Sequence, residues 1–277
     1  MKAYAVIGAL SCVLIASQSH ALEPSWPDLR DQLYGDQFLV ETGNTITIDA
    51  PYRSDMDSRT QIGATVTAPQ GEMLDSVTVI LDENPMPVSA VFSFEQPVSS
   101  FFFDLTMRVN GPTPLHIVAK TARGQLFVAD TFVKTSGQGA CSAPPGTDTE
   151  LALATIGNMV IDVQEFSKEP RLLQTALVTS EAVDLGHSKR MDLAIQHPSH
   201  SGMQMDQISL LYIPARYIDS IKVDLDGAPF VAISGSISLS ENPQISLSIP
   251  AVAQSIDVTL TDTGGTQTTV HRSLPNF

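Results

Sequence analysis

Residues 221–231 read IKVDLDGAPFV, and this stretch contains the pattern that decides the fold. From Ile221 to Leu225 the side chains alternate between apolar and polar, and the pair Asp226-Gly227 then precedes a second apolar run. Alternation with a period of two places the apolar side chains on one face of a strand, and an Asp-Gly pair favours a tight hairpin turn. The stretch therefore predicts two antiparallel strands with one buried face.

The same alternation recurs between turn residues along most of the chain. It is present in five further segments, at 45–48, 77–81, 115–128, 245–249 and 256–260. Short strands at this spacing are typical of antiparallel β-sandwiches, so we predict an all-β fold. Helical pattern is limited to two short segments, 26–33 after Ser25 and 148–156 before Gly157, where the flanking residues suit an N-cap and a C-cap.

A segment rich in proline and glycine, 137–147, divides the strand pattern into two halves of similar length. The halves share no residue pattern beyond the alternation itself, which indicates two different β-sandwiches in tandem. We expect four regions: a signal peptide at 1–21, one sandwich at 22–136, a cysteine-bearing loop and linker helix at 137–157, and a second sandwich at 158–277.

The first residues have the organisation of a secretory signal peptide. Lys2 precedes an apolar run from Ala5 to Ala16, and Ser19-His20-Ala21 places small residues where a signal peptidase cuts. No later stretch of the sequence approaches the roughly 18 apolar residues of a membrane span. We expect a soluble mature chain in the periplasm.

The chain is strongly acidic, with 15 Lys and Arg against 30 Asp and Glu and a net charge of −15. Loss of Lys2 with the signal peptide leaves 14 basic against 30 acidic side chains, a net charge of −16. Such a surface disfavours binding to nucleic acid or to an anionic membrane. It suits a partner protein with a basic face, or it serves solubility alone.

Cys141 is the only cysteine of the expected mature chain, because Cys12 lies in the signal peptide. Its neighbours from Gly137 to Gly146 are small residues and turn formers, so we expect the thiol in an exposed, mobile loop. A single exposed thiol in an exported protein is a candidate point of covalent attachment. Only Lys134 is close enough in sequence to lower the pKa of such a thiol, and a linker cysteine without a role is the alternative.

Other candidate sites are weaker. His197 and His200 could be two metal ligands, but no cysteine or carboxylate follows at ligand spacing, and packed histidines explain them as well. The acidic turns at 82–84 and 224–227 lack the spacing of a calcium loop. The sequence has no haem-attachment motif, dinucleotide fingerprint, P-loop or nucleophile elbow. We predict no metal and no cofactor, and a structural role for the remaining histidines His116, His187 and His271.

Two runs of motifs resemble known families. Residues from about 29 to 141 resemble SoxY, the cysteine-bearing subunit of the thiosulfate-oxidation carrier, in the segments Ile46–Pro51, Gln61–Val66, Leu81–Pro87 and Phe92–Phe94. Residues from about 190 to 275 resemble SoxZ, in His197-Pro198, Ser201-Gly202, Ile213–Ala215, Asp226-Gly227, Glu241–Pro243 and Thr261–Gly265. The order of the motifs, more than any one of them, carries the resemblance. The fused arrangement resembles the SoxYZ-like carriers associated with periplasmic quinoprotein dehydrogenases.

The resemblance implies two immunoglobulin-like sandwiches packed on each other. It also implies that a cysteine on a flexible, glycine-rich arm holds a sulfur substrate as a covalent conjugate while separate enzymes act on it. The matching cysteine is Cys141, and the arm would comprise Gly137, Gly139, Ala140 and Ser142. The arm departs from the family pattern because it lacks a Gly-Gly-Cys-Gly-Gly motif and is tethered at both ends.

We therefore predict a periplasmic carrier or interaction protein, not an enzyme, that holds a sulfur-containing or thiol-reactive group on Cys141. Its partners would be redox enzymes: a quinoprotein dehydrogenase, a c-type cytochrome or Sox-type enzymes. The alternative is a non-covalent accessory subunit that docks on a periplasmic dehydrogenase or cytochrome. A third class, a genuine enzyme, needs an acid or base beside the thiol, and the sequence near Cys141 shows none.

Overall fold

The computed structural model describes residues 25–137, 139–166 and 188–274. The predicted signal peptide at 1–21 and the histidine His187 lie outside the described residues, as does part of the segment between 158 and 190.

Two α-helices and fifteen strands make up the regular structure of the described residues. The helices are α1 (Trp26–Tyr34) and α2 (Thr149–Thr155), and single 3-10 turns occupy Asp57–Arg59 and Ala140–Ser142. The strands of the first half are β1 (Leu39–Glu41), β2 (Ile46–Asp49), β3 (Thr60–Thr67), β4 (Leu74–Leu81), β5 (Val88–Val98), β6 (Ser100–Met107), β7 (Thr113–Thr121) and β8 (Leu126–Val133). Those of the second half are β9 (Met159–Glu165), β10 (Ser188–Ile195), β11 (Ile218–Leu225), β12 (Ala228–Ser234), β13 (Gln244–Pro250), β14 (Ser255–Asp262) and β15 (Gln267–Ser273). The prediction of an all-β fold with two short helices is confirmed.

The strands form two sheets, and each sheet takes strands from both halves of the chain. The larger sheet has nine strands in the order β1-β8-β7-β4-β5-β12-β11-β14-β15. The smaller sheet has six, in the order β2-β3-β6-β13-β10-β9. Each half thus contributes to both layers of a sandwich, and the two sandwiches are joined edge to edge in both layers.

The junction between the halves consists of the pairs β5–β12 and β6–β13. In the larger sheet Val231 lies opposite Phe94, and in the smaller sheet Leu247 lies opposite Phe103. All of these side chains are buried. Backbone hydrogen bonds and apolar packing therefore both cross from one half to the other.

One apolar cluster fills the space between the sheets and contains side chains from both halves. Phe92 and Phe103 lie near its centre with ring centroids 4.7 Å apart, and Phe101 packs edge-on against Phe92. Burying a large apolar side chain contributes about 1.5–3 kcal/mol, so the shared cluster is the main source of stability for both halves.

Helix α1 packs on the face of the larger sheet that points away from this core. Trp26 stacks on His116 with ring centroids 3.7 Å apart, and Nδ1 of His116 lies 2.9 Å from a carboxylate oxygen of the buried Asp82. Ser25 occupies the N-cap position, but its side chain does not cap the helix, contrary to expectation. Its hydroxyl instead donates a hydrogen bond of 2.7 Å to the Glu83 carboxylate, which ties the start of α1 to the end of β4.

The hairpin expected at Asp226-Gly227 joins β11 and β12. Asp226 and Gly227 have φ angles of 53° and 77°, and positive φ at both central residues is the requirement of a type I′ turn. The Asp226 carboxylate also accepts hydrogen bonds from the backbone N–H groups of Gln254 and Ser255. The turn is thereby fixed against the start of β14.

Helix α2 follows the cysteine loop, as expected. The Asp148 carboxylate caps it by accepting hydrogen bonds from the backbone N–H groups of Glu150 and Leu151. The helix ends at Thr155, and Gly157 follows with a φ of 80°, the left-handed conformation that favours glycine after a helix. Among the described residues, no helix is long and apolar enough to cross a membrane.

Candidate functional site

Cys141 lies in the 3-10 turn Ala140–Ser142 at the junction of the two halves, and its exposed fraction is 0%. The expectation of an exposed, mobile thiol is wrong in this structure. Small and turn-forming neighbours allow the chain to fold back tightly, and the backbone of the turn finds partners in both halves. Within the described chain Cys141 is a free thiol.

Hydrogen bonds from the first half hold the N-terminal side of the turn. The backbone N–H of Cys141 donates to the side-chain oxygen of Asn110, at 3.1 Å. Further back, the backbone N–H and the hydroxyl of Ser136 both donate to the Asp57 carboxylate. The arm is therefore anchored before it reaches the cysteine.

Hydrogen bonds from the second half hold the C-terminal side. The Ser201 hydroxyl donates to the backbone carbonyl oxygen of Cys141, and the amide of Gln204 donates to the carbonyl oxygen of Ala143 at 3.0 Å. The backbone N–H of Gly146 donates to the Glu241 carboxylate at 2.7 Å. The loop thus bridges the two halves instead of extending into solvent.

The arm residues predicted around Cys141 divide between the surface and the interior. Gly137 and Ser142 are exposed, whereas Ala140 is buried and Gly139 is half-buried. Gly139 has a φ of 68°, which begins the turn, and the Ser142 backbone and hydroxyl both donate to its carbonyl oxygen. The arm residues thus shape a compact turn that places the cysteine inward.

Arg108, which follows β6, brings positive charge to the buried turn. Its exposed fraction is 2%, and its Nη1 donates to the carbonyl oxygens of Ser199, Ile237 and Leu239 at 2.7, 3.4 and 2.6 Å. Burial lowers the pKa of the Arg108 guanidinium, and the nearby Cys141 and Glu241 groups oppose that shift. Arg108 is therefore a cation close to Cys141 in space, although it is distant from Cys141 in sequence.

The thiol is unreactive in this position. Burial raises the pKa of Cys141 to about 11, and the Arg108 guanidinium only partly offsets the effect. Because the thiolate is the nucleophile, a buried thiol with a raised pKa reacts slowly at neutral pH. Among the described residues, no histidine or carboxylate makes a hydrogen bond to the sulfur atom.

Asn84 connects Arg108 to the turn. Its amide nitrogen donates to the Arg108 carbonyl oxygen at 2.8 Å, and its amide oxygen accepts from the backbone N–H of Asn110 at 2.9 Å. Asn110 in turn accepts from the backbone N–H of Cys141. A buried side chain that satisfies backbone groups on both sides fixes the end of β6 relative to the cysteine.

The candidate metal ligand His197 is part of a second network instead. The backbone N–H of Ser199 donates to its Nδ1 at 2.9 Å, so Nε2 holds the proton and donates to the Asp262 carboxylate at 3.3 Å. Burial lowers the pKa of His197 to about 4, although Asp262 opposes the shift. The histidine is therefore neutral, and Arg216 is the charged partner of Asp262, at 2.8 Å. The described residues contain no group of three or more His, Cys, Asp or Glu that could hold a metal ion.

This network positions the residues that contact Arg108 and Cys141. Ser199 adopts a φ of 45° and presents its carbonyl oxygen to Arg108, while Ser201, two residues further on, contacts Cys141. His197 and Asp262 thereby connect the interior of the second half to the cysteine turn.

Ser201 and Gln204, which hydrogen-bond to the cysteine turn, are followed directly by an exposed apolar hairpin, residues 205–212. Five large apolar side chains in it are exposed: Met205, Ile208, Leu210, Leu211 and Tyr212. The Asp206 carboxylate accepts hydrogen bonds from the backbone of Ile208 and Ser209, and an isolated bridge pairs Met205 with Tyr212. Because the backbone is fixed by these contacts, the apolar surface is a formed feature of the fold.

The residues that hold the cysteine were missed by the sequence reasoning. Arg108 could have been noticed in the sequence, because it is a cation directly after the apolar run at 101–107. Ser201 and Glu241 belong to motifs that carried the family resemblance, but the motifs gave no role for either side chain. Asn110 and Gln204 gave no signal, since their contacts depend on how the halves meet.

Comparison with known proteins gives one family for each half. The family model "Sulfur oxidation protein SoxY" matches residues 30–141, and "Sulphur oxidation protein SoxZ" matches residues 178–272. The chain is a fused SoxY–SoxZ-like protein. The SoxY match ends at Cys141, so the buried turn is the end of the SoxY-like half.

Two solved structures are similar to part of the fused SoxY–SoxZ-like chain. The sulfur carrier protein SoxY from Chlorobium limicola f thiosulfatophilum is 20% identical over 40% of this chain and 96% of that one, with a TM-score of 0.35. The superoxide reductase (neelaredoxin) from Ignicoccus hospitalis is 15% identical over 40% and 92%, with a TM-score of 0.27. No curated protein matches the chain.

Proposed function

We propose that this SoxY–SoxZ-like protein is a sulfur carrier, which holds a sulfur-containing or thiol-reactive group covalently on Cys141. The observation that supports the proposal most directly is the place of the thiol. Cys141 is the last residue of the SoxY match, and side chains from both halves hold its turn. A group attached to the sulfur atom would therefore lie where the two halves meet.

The buried resting position suits a carrier that is loaded and unloaded only by chosen partners. In this state the thiol is shielded and its pKa is raised to about 11, so adventitious oxidants and alkylating agents react slowly. Release of the turn requires a few hydrogen bonds to break, each with a net value of about 1 kcal/mol. Contact with a partner enzyme can supply free energy of that size.

We further propose that the protein acts in the periplasm, after removal of residues 1–21, together with redox enzymes. Quinoprotein dehydrogenases, c-type cytochromes and Sox-type enzymes are the partner classes. The acidic composition favours a partner with a basic face. The protein itself is proposed to be a carrier and not an enzyme.

The test is the intact mass of the protein, isolated from its host without reductant, with peptide mapping around Cys141. A discrete adduct that is lost on reduction supports the carrier function and identifies its cargo. Cys141→Ser is the matched control, because it keeps the size of the side chain and removes the thiol. A host pathway that works fully with Cys141→Ser contradicts the covalent role.

A second candidate function, a non-covalent accessory subunit, is favoured by one observation. The hairpin 205–212 exposes five large apolar side chains on a fixed backbone next to the cysteine turn. Such surfaces commonly bind partner proteins. This function predicts that a periplasmic dehydrogenase or cytochrome co-purifies equally with the wild type and with Cys141→Ser, and that Leu210→Ser with Leu211→Ser abolishes the complex.

A further inference from the structure

A pocket of about 230 Å³ lies between the two halves beside the cysteine turn. Its wall includes Ala140 and Ala143, the residues on either side of Cys141 and Ser142. The first half contributes Arg59 and Arg108, and the second half contributes further polar side chains: Gln204, Glu241 and Asn242. A pocket of this size is large enough for a small ion with its water.

Arg108 is a buried charge in this pocket without a counter-ion in contact. The hydrogen bonds of its guanidinium to the described residues are all donated by Nη1, and their acceptors are carbonyl oxygens. No carboxylate of the described residues lies within ion-pair distance, and Nε and Nη2 make no hydrogen bond to these residues. A buried charge without a counter-ion in contact is costly, so the site favours an anion that brings both charge and acceptors.

Arg59 places a second guanidinium in the same pocket. Its Nη1 donates to the carbonyl oxygens of Glu241 and Asn242 at 2.8 and 3.0 Å, which fixes the side chain across the junction. It too forms no ion pair with a described carboxylate. Guanidinium groups bind oxyanions through several N–H donors at once, so the two arginine side chains in the pocket wall suit a tetrahedral oxyanion.

Glu241 is the one carboxylate among the described residues that line the pocket. It accepts a hydrogen bond from the backbone N–H of Gly146, and its charge opposes the fall in the pKa of Arg108. Glu241 therefore partly balances the charge of Arg108, although the two side chains form no ion pair. An incoming anion has to compete with it.

We propose that this pocket is a binding site for a small tetrahedral oxyanion, held by Arg59 and Arg108. Thiosulfate, sulfite, sulfate and phosphate share this chemistry. A second part rests on the proposed carrier function: the same site holds the charged end of a group attached to Cys141. The position of Ala140 and Ala143 in the wall places the cysteine turn against the bound anion.

The first part is tested with the full-length mature protein bearing Cys141→Ser, which removes covalent chemistry. Thiosulfate, sulfate, phosphate, acetate and chloride are titrated at low ionic strength, and binding is followed by calorimetry and by the amide NMR signals of the cysteine loop. We expect saturable binding of the tetrahedral anions and much weaker binding of acetate and chloride. Phosphate binding as tight as that of thiosulfate supports a general oxyanion site, whereas tighter thiosulfate binding supports a site for sulfur oxyanions.

Two variants with opposite expected signs separate binding from folding. Arg59→Gln should weaken binding about tenfold, because a charge-assisted hydrogen bond is lost. Glu241→Gln should tighten binding roughly threefold, since it removes the competing charge and keeps an acceptor for Gly146. Arg123→Gln, which removes an exposed guanidinium that pairs with Glu72 and does not line the pocket, is the matched control and should change nothing.

Equal affinity for chloride and thiosulfate, or an affinity unaffected by both Arg59→Gln and Glu241→Gln, overturns the proposal. Arg108→Gln is used only where its unfolding curve shows a folded protein, and there it should abolish binding. The two proposals fail separately. If Cys141→Ser binds oxyanions but the wild type carries no adduct, the pocket proposal stands and the carrier proposal fails. If the wild type carries an adduct but Cys141→Ser binds no oxyanion, only the pocket proposal fails.

Discussion

The hydroxyl of Ser201 donates a hydrogen bond to the backbone carbonyl oxygen of Cys141, and so joins residues that are 60 positions apart. This contact, together with the one from Gln204 to Ala143, makes the second half a clamp on the cysteine turn of the first. The clamp holds the thiol in its buried, unreactive position.

Ser201→Ala should raise the rate at which iodoacetamide modifies Cys141 about fivefold at pH 8. The reason is that the clamp loses one hydrogen bond of about 1 kcal/mol, which makes opening of the turn more frequent. The rate is measured by mass spectrometry of the intact protein. Ser209→Ala is the control and should react like the wild type, because the Ser209 hydroxyl donates to Asp206 and accepts from the backbone N–H of Leu211, both within the hairpin 205–212. Identical rates for Ser201→Ala and the wild type would show that the clamp does not limit access.

Alkaline pH should destabilise the wild type more than Cys141→Ala. The pKa of Cys141 is raised from 9.0 to about 11 in the folded protein, so folding favours the protonated thiol. Its contribution is full below pH 9 and is lost as the pH rises towards 11, by about 1.4 kcal/mol at pH 10. Urea unfolding followed by circular dichroism between pH 8 and 10.5 measures the difference. Burial also raises the pKa of Tyr34 to about 12, but Tyr34 is present in both proteins, so its contribution cancels in the difference. Parallel pH profiles of the two proteins would contradict a buried, protonated thiol.

Acidic pH should destabilise the protein through His197. Its folded pKa is lowered from 6.5 to about 4, so the unfolded chain binds the proton more tightly. The contribution of this residue is complete above pH 6.5 and is lost as the pH falls towards 4, by about 2.5 kcal/mol at pH 4.5. We expect His197→Gln to flatten the fall in unfolding free energy between pH 7 and 4.5. Leu247→Ala, a core change without a titrating group, should lower stability at every pH and leave the slope as it is.

Destabilisation of the second half should unfold the first half as well. Leu247→Ala in β13 removes a fully buried side chain and should cost about 2–5 kcal/mol. Because both sheets and the core run through both halves, the midpoint reported by Trp26 fluorescence in α1 should fall together with the midpoint from circular dichroism. Val252→Ala, at a position that is 83% exposed, should move neither. A Trp26 midpoint that stays in place while circular dichroism shifts would mean that the halves unfold independently.

The strands could be predicted because their cause is local. The alternation at 221–225, the Asp226-Gly227 turn and the short helices next to Ser25 and Gly157 each depend on a few neighbouring residues. The edge-to-edge joining of the sandwiches could not be predicted, because the pairing of Val231 with Phe94 depends on side chains that are distant in sequence.

The surroundings of Cys141 could not be predicted for the same reason. Its neighbours in sequence are small and flexible, which indicated an exposed loop. Its neighbours in space are Arg108, Asn110 and Ser201, which come from both halves. Asn110 and Ser201 hydrogen-bond to the backbone of Cys141. The local composition showed that the chain could turn tightly, and only the fold decides which way the thiol faces.

The pairing of β5 with β12 and of β6 with β13 also has a consequence for misassembly. A separated half would present two long strands with unpaired N–H and C=O groups, which are templates for aggregation. In the intact chain only β1, β15, β2 and β9 form the sheet edges of the described residues. β1 is only three residues long, and β15 ends in the polar side chains of His271, Arg272 and Ser273. Covalent fusion therefore supplies each half with the strands that cover β5, β6, β12 and β13 from the moment both are synthesised.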